Sequence, residues 1–219
     1  MILKMLQTGP LMVNCYILGD EGTKKAAVFD PGGNVEDILG ALADQGLSLS
    51  FIANTHAHWD HVGGNQELHE RTGAPILLHR DEAPGLGDTS TRAQVWGYQG
   101  ADSEASGFIQ EGDVLEIGEI RVDTIDLRGH SPAGLGFVFE GQMRDGEGEN
   151  RHVRAVICGD ALFAGSIGRT DFPGGDMDLL LRNIREKILT LPDETLVLSG
   201  HGPVTTVGRE KATNPFFQD

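Results

Sequence analysis

A chain of 219 residues with 39% hydrophobic and 23% charged residues can fold around one sizeable core and lies outside the compositions of disordered chains. Its 17 Lys and Arg stand against 33 Asp and Glu, for a formal net charge of -16, a surplus that repels phosphate backbones and anionic bilayers and excludes nucleic acid and membrane as expected partners. Two cysteines, Cys15 and Cys158, are too few for a disulfide framework, and with no basic-then-apolar leader and no run of eighteen apolar residues the expectation is a cytoplasmic, single-domain protein.

In chain order, Met12 to Leu18 and Lys25 to Phe29 are apolar runs joined by Gly19-Asp20-Glu21-Gly22, the signature of a hairpin. Asn34 is expected to cap a helix with Val35, Ile38, Leu39 and Leu42 on its apolar face and Gly46 at its end. A strand over Leu49 to Ala53 follows, then a helix over Asp60 to Arg71 and a strand over Pro75 to Leu78. Val114 to Ile125 reads as two strands turned at Gly118, and Gly136 to Glu140 with Val153 to Ile157 as another pair, separated by a polar, Gly-rich loop over Arg144 to Arg151. Leu180, Leu181, Ile184, Ile188 and Leu191 trace one face of a late helix that stops before Pro192, and Leu196 to Ser199 forms the last strand. Cys15 and Cys158 fall inside apolar strands, where reduced thiols pack as small hydrophobes.

The chemistry concentrates after the third of these strands. Thr55-His56-Ala57-His58-Trp59-Asp60-His61 places three imidazoles and a carboxylate within six positions, a cluster costly to desolvate without a cation and matched to the nitrogen and oxygen donors that open catalytic metal sites use. Three more loops at strand ends repeat the vocabulary: Gly129-His130-Ser131, Gly159-Asp160-Ala161 and Gly200-His201-Gly202. His69, His79 and His152 fall outside these motifs and read as surface or packing residues.

The run Thr55-His56-Ala57-His58-Trp59-Asp60-His61-Val62-Gly63-Gly64-Asn65, followed in order by His130, Asp160 and His201, resembles the metallo-β-lactamase superfamily, and within it the compact glyoxalase II-like (hydroxyacylglutathione hydrolase-like) branch, over about Val13 to Phe217. The resemblance implies a mixed α/β (α+β) fold, a four-layer αββα sandwich, spanning residues 1–219 as one domain. It implies two divalent metal ions, zinc first and iron or manganese after it: His56, His58 and His130 on one, Asp60, His61 and His201 on the other, and Asp160 bridging. Asp60 and Asp160 are the carboxylates assigned to catalysis, with a shared water as hydroxide nucleophile, and Asp30, in Phe29-Asp30-Pro31, orients a ligand. The implied activity is hydrolysis of a small acyl-thiol such as S-D-lactoylglutathione.

Long glyoxalase II enzymes carry a helical C-terminal region that helps hold glutathione, whereas only Gly202 to Thr213 lie between His201 and Asn214-Pro215-Phe216 here. Where those enzymes place a Lys and a Tyr, this chain has Gly168-Arg169-Thr170-Asp171-Phe172, so Arg169 is the substrate-binding cation expected and the phenol has no counterpart. The same short motif recurs in persulfide dioxygenases, which sets the competing expectation of one ferrous ion on His56, His130 and Asp160. Lactone and phosphodiester hydrolysis, both found in the superfamily, compete with thioester cleavage as the reaction.

Overall fold

Parallel β-strands need helical crossovers to join them, and the alternation of apolar runs with helical periodicity supplies these in the first half of the chain. The computed structural model describes residues 1–144 and 149–218 and divides into two compact units, one of residues 1–109 with 116–120 and one of residues 110–115 with 121–219. In the first unit, β1 (Ile2–Thr8), β2 (Val13–Gly19) and β3 (Lys25–Phe29) run antiparallel, with Thr8 opposite Val13 and Tyr16 opposite Phe29. α1 (Val35–Asp44) crosses to β4 (Ser48–Ala53), which lies parallel to β3 with Ala53 opposite Phe29. α2 (Trp59–Val62) and α3 (Asn65–Thr72) lead to β5 (Ile76–Leu78), then α4 (Ala83–Leu86) and α5 (Thr89–Val95) to β6 (Gly107–Phe108), completing a six-stranded sheet in the order β1 to β6. Cys15, Ile17, Val28, Ile38, Ile52, Leu68 and Leu78 are buried in its core.

Three details depart from expectation. β1 has no counterpart among the expected strands because it is half-exposed and carries Lys4 and Gln7, so no clean apolar alternation marks it. Asn34 does not cap α1 with its side chain; at φ 52° in the left-handed region, its amide oxygen accepts the Gly9 N–H at 2.9 Å and its Nδ2 donates to Asp37 at 3.2 Å, so a tertiary partner displaced the local one. The expected single helix over Asp60 to Arg71 is two helices broken at Gly63-Gly64. A Cβ on Gly63 would lie 2.7 Å from the Gly32 carbonyl oxygen and one on Gly64 2.7 Å from that of Pro31, so this pair lets the backbone press against the loop after β3. At the end of α1, Gly46 is left-handed as expected and the Leu47 N–H returns to the Leu42 carbonyl at 2.9 Å, the geometry that closes a helix on glycine.

The second sheet runs β14-β13-β10-β9-β8-β7: β7 (Val114–Ile117), β8 (Ile120–Asp126), β9 (Leu135–Arg144), β10 (Asn150–Gly159), β13 (Leu196–Ser199) and β14 (Thr205–Thr206). β9 and β10 outrun expectation, pairing from Arg144 with Asn150 to Phe137 with Ile157, so the ends of the expected loop belong to strands and residues 145–148 lie outside the described residues. A small hairpin of β11 (Leu162–Phe163) and β12 (Ser166–Ile167) follows β10. α6 (Met177–Asn183) runs into a π-helical turn over Ile184–Ile188 and α7 (Val207–Thr213) ends the unit. Leu180, Ile184 and Ile188 are fully buried with Val156 and Val197, as the helical spacing requires. No helix among the described residues is long and apolar enough to cross a membrane.

Candidate metal centre

Two parallel strands that end side by side deliver their following residues to one place. β3 and β4 do this in the first unit, so Asp30 meets Thr55, one residue before the histidine cluster. Asp30 is 1% exposed and its carboxylate accepts the Thr55 N–H at 2.8 Å, the Thr55 hydroxyl at 2.7 Å and His61 Nδ1 at 3.1 Å. Such a carboxylate orients the imidazole and sends Nε2 the other way, 3.8 Å from Asp60 Oδ2, as a ligand nitrogen needs. The Thr55 hydroxyl, having donated to Asp30, accepts from His56 Nδ1 at 3.0 Å. His56 Nε2 therefore turns toward His58 Nδ1, 3.0 Å away, and the two rings sit edge to face with centroids 4.5 Å apart.

The loop that carries these residues is tethered at three further points. Asn54 exchanges amide hydrogen bonds with Asn65 at 2.8 and 3.3 Å and donates to the His61 carbonyl; buried Glu82 accepts the Ala57 N–H at 3.0 Å; and Trp59 stacks on Tyr98 with centroids 5.6 Å apart. A Cβ on Gly32 would sit 2.0 Å from the Asp60 carbonyl oxygen, so glycine there is a condition of the loop's approach. The sequence assigns no role to Thr55, although its place beside the cluster is a signal, and Glu82, in a 3-10 turn over Arg80–Glu82, carries no sequence signal at all.

In the second unit β10 and β13 are also parallel, with Gly159 opposite Ser199, so Asp160 and His201 leave adjacent strands at one sheet end. Asp160 Oδ2 lies 3.7 Å from His130 Nε2 and 3.8 Å from His201 Nε2, a carboxylate oxygen between two imidazoles as a bridging ligand requires. His130 is buried and pairs through Nδ1 with the Arg169 carbonyl at 2.8 Å, which again leaves Nε2 for the site. Gly168 allows this: a Cβ there would lie 1.8 Å from the Asp160 carbonyl oxygen and 3.0 Å from His130 Nδ1.

Arg169 itself is exposed. Its guanidinium makes two 2.7 Å bonds to the carboxylate of Asp171 and stacks over Phe172 at 3.8 Å, and the pair holds the Asp171 carboxyl down at about 2. The expected substrate cation is thus already paired, while its main chain serves His130. The remaining histidines are held by local partners: His69 pairs with the Ala74 carbonyl, His79 accepts the Asp81 N–H and His152 lies beside Glu140. Both cysteines are free and buried; burial pushes the Cys158 thiol up to about 12, and burial together with the Asp30 charge raises Cys15, so neither supplies a thiolate at neutral pH.

Residues 8–201 match the profile of the Metallo-beta-lactamase superfamily. The chain belongs to that superfamily. It is 37% identical over 216 residues to the probable metallo-hydrolase YqgX of Bacillus subtilis, covering 98% of this chain and 96% of that one. With hydroxyacylglutathione hydrolase GloC of Haemophilus influenzae it shares 34% identity over 207 residues, covering 93% and 92%. Among solved structures, the BLEG-1 B3 metallo-beta-lactamase superposes with a TM-score of 0.86 at 34% identity, covering 100% of both chains. TTHA1623 in a di-iron-bound form superposes with a TM-score of 0.81 at 35% identity, covering 97% and 99%. The mixed α/β fold expected from the histidine motif is therefore the one found, in the glyoxalase II-like branch, and the protein is a metal-binding hydrolase. The donors fit such ions: His61 and His130, with Nδ1 engaged by a carboxylate and a carbonyl, present Nε2 beside Asp60 and Asp160, His56, with Nδ1 engaged by the Thr55 hydroxyl, presents Nε2 toward His58, and no cysteine stands among them.

Proposed function

We propose that the protein is a two-metal thioester hydrolase of the cytoplasm, acting on a small acyl-thiol such as S-D-lactoylglutathione, and that residues 1–219 form one functional domain. In this reading His56, His58 and His130 hold one divalent ion, Asp60, His61 and His201 hold the other, and Asp160 serves both. Zinc is the expected metal, with iron as its competitor, since the TTHA1623 relative is described in a di-iron form, and manganese after them. When bound, two such ions bring the pKa of a shared water to about 7 and polarise a carbonyl oxygen. The chain's own part is orientation: Asp30 turns His61, Thr55 turns His56, and the Arg169 carbonyl turns His130, so that each ring is set before substrate arrives. Arg169, at the exposed edge of its Asp171 pair, is the residue proposed to meet the anionic thiol carrier.

The observation that carries two-metal hydrolysis is the bond from buried Asp30 to His61, a ring that a single iron held by His56, His130 and Asp160 would not use. The thioester rests on the likeness to GloC; the likeness to the BLEG-1 B3 metallo-beta-lactamase makes β-lactam cleavage the second substrate to try, with lactones and phosphodiesters after it. The test is metal content of protein purified without chelators, followed on the same sample by hydrolysis of S-D-lactoylglutathione and of a chromogenic β-lactam, and by oxygen uptake on glutathione persulfide. Two metals per chain and thioester cleavage are expected, and His201→Ala should lose one metal and nearly all turnover. A folded His201→Ala protein that keeps its metal, or oxygen uptake in place of hydrolysis, refutes the reading.

A further inference from the structure

The β11–β12 hairpin is the smallest sheet among the described residues, two residues per strand, with Leu162 opposite Ile167 and Phe163 opposite Ser166. Two ladder pairs do not hold a hairpin in place by themselves. Yet this hairpin touches the surroundings of all three ligands in its unit. Asp160 stands two residues before β11, with the Gly168 N–H closing on the Ala161 carbonyl between them at 3.2 Å. Its exit, Arg169, gives the carbonyl that engages His130 Nδ1. The Leu162 carbonyl accepts the hydroxyl of Ser199, two residues before His201, at 2.6 Å. Something must anchor the exposed tip at Gly165.

The anchor is a carboxylate far along the chain. Glu210, on α7, is 0% exposed, and its oxygens accept the Gly165 N–H at 2.8 Å, Asn214 Nδ2 at 2.8 Å and the Thr205 hydroxyl at 2.6 Å. Asn214, equally buried, passes the tether on by donating to the Ser166 carbonyl at 3.1 Å. All of these partners are neutral donors. A buried carboxylate facing only neutral donors is costly to desolvate, and nothing in the packing of a seven-residue helix calls for one. We propose that Glu210 is a positioning residue for the metal centre: it fixes the tip of the β11–β12 hairpin so that the Arg169 carbonyl and the Asp160 backbone hold His130 and Asp160 in ligand geometry. The short helix α7 thereby braces the site from within the fold. This inference rests on the two-metal reading above.

Glu210→Gln keeps the shape but removes the charge and one acceptor: whichever way the amide turns, its NH2 meets either Gly165 N–H and Asn214 Nδ2 or the Thr205 hydroxyl, and the bonds from Gly165 and Asn214 no longer end on a carboxylate. The full-length apoprotein, folded by circular dichroism, is titrated with Zn²⁺ against a competing chelator, and amide exchange is followed over residues 161–169. The expectation is about tenfold weaker binding of one of the two zinc ions, in the range seen when an outer-shell partner of a ligand is lost, with faster exchange in the hairpin. Thr205→Val removes only the bond on the other oxygen; it should lower Tm and leave zinc affinity unchanged. Folded Glu210→Gln protein with both wild-type zinc affinities overturns the proposal, as does Thr205→Val losing zinc in step with its Tm, which would mean general destabilisation. If Glu210→Gln does not fold, Asn214→Ser cuts the same tether more mildly and must weaken zinc binding in the same direction or the proposal falls. Wild-type protein that takes up only one zinc faults the two-metal reading itself, whereas an unaffected Glu210→Gln protein faults this inference alone.

Discussion

Replacing Asp30 by Asn tests whether a buried carboxylate sets the tautomer of a ligand histidine. Asn tolerates the left-handed backbone that Asp30 adopts at φ 51° as well as Asp does, so the substitution changes hydrogen bonding with little backbone strain. One oxygen can still accept the Thr55 N–H. The other becomes an amide donor facing His61 Nδ1 at 3.1 Å and the Thr55 hydroxyl at 2.7 Å, both donors in the native arrangement. His61 meets this by moving its proton to Nε2, which removes the lone pair a metal needs, and the Thr55 hydroxyl rotates and loosens its hold on His56. Two hydrogen bonds to a charged, buried acceptor are lost, each worth about 1.5 kcal/mol or more, so unfolding free energy should fall by about 3 kcal/mol in urea titration. Zinc affinity at the ion held by His61 should fall about 10- to 100-fold, read by chelator competition, with the other ion retained. Asp30→Asn protein that holds two zinc ions with native affinity would refute the argument, even if its stability had dropped, because the tautomer of His61 would then owe nothing to Asp30.

Other perturbations probe separate parts of the fold. Gly168→Ala forces a Cβ to within 1.8 Å of the Asp160 carbonyl oxygen; it should cost about 3 kcal/mol and abolish metal retention on gel filtration, and a stable, metal-loaded variant would contradict the close approach. Asp20 accepts the Gly22 N–H at 3.0 Å, the Thr23 hydroxyl at 2.6 Å and the Glu119 N–H at 2.9 Å. Burial acts to raise its pKa, but these bonds outweigh it and lower the group below its ordinary 3.8. A depressed carboxylate stabilises the fold above its unfolded pKa and loses that contribution as pH falls through the folded value. Asp20→Asn should therefore lower Tm at pH 7, with the gap to wild type closing only as pH drops below 3.8; a gap independent of pH would show that charge is not the cause. Arg169→Ala should raise KM for lactoylglutathione while leaving metal content intact, because His130 is held by the main chain of residue 169 and not by its side chain; unchanged KM would remove the side chain from substrate binding.

Sequence alone determined which atoms could do chemistry. His56, His58, Asp60 and His61 are crowded beyond any packing need, and His130, Asp160 and His201 each follow a glycine at a strand end, so residue type and spacing name the candidate ligands before any contact is known. The same holds for α1, whose apolar spacing and Gly46 terminus are local properties, and for the strands bearing Cys15 and Cys158. Tertiary structure decided what orients those candidates. Asp30 reaches Thr55 and His61 only because β3 and β4 are parallel and in register, Glu82 reaches Ala57 across 25 residues, and Glu210 reaches Gly165 across 45. None of these pairings leaves a periodic mark. Asn34 left its capping role and the Asp60 to Arg71 helix broke at Gly63-Gly64 for one reason: a partner brought near by folding outcompeted the one expected from the chain; Arg169, by contrast, closed on Asp171, a neighbour two residues along the chain. The capacity to bind a metal is a property of side chains and is written in their order; the orientation of those side chains is a property of the hydrogen bonds behind them, and those exist only once the strands have paired.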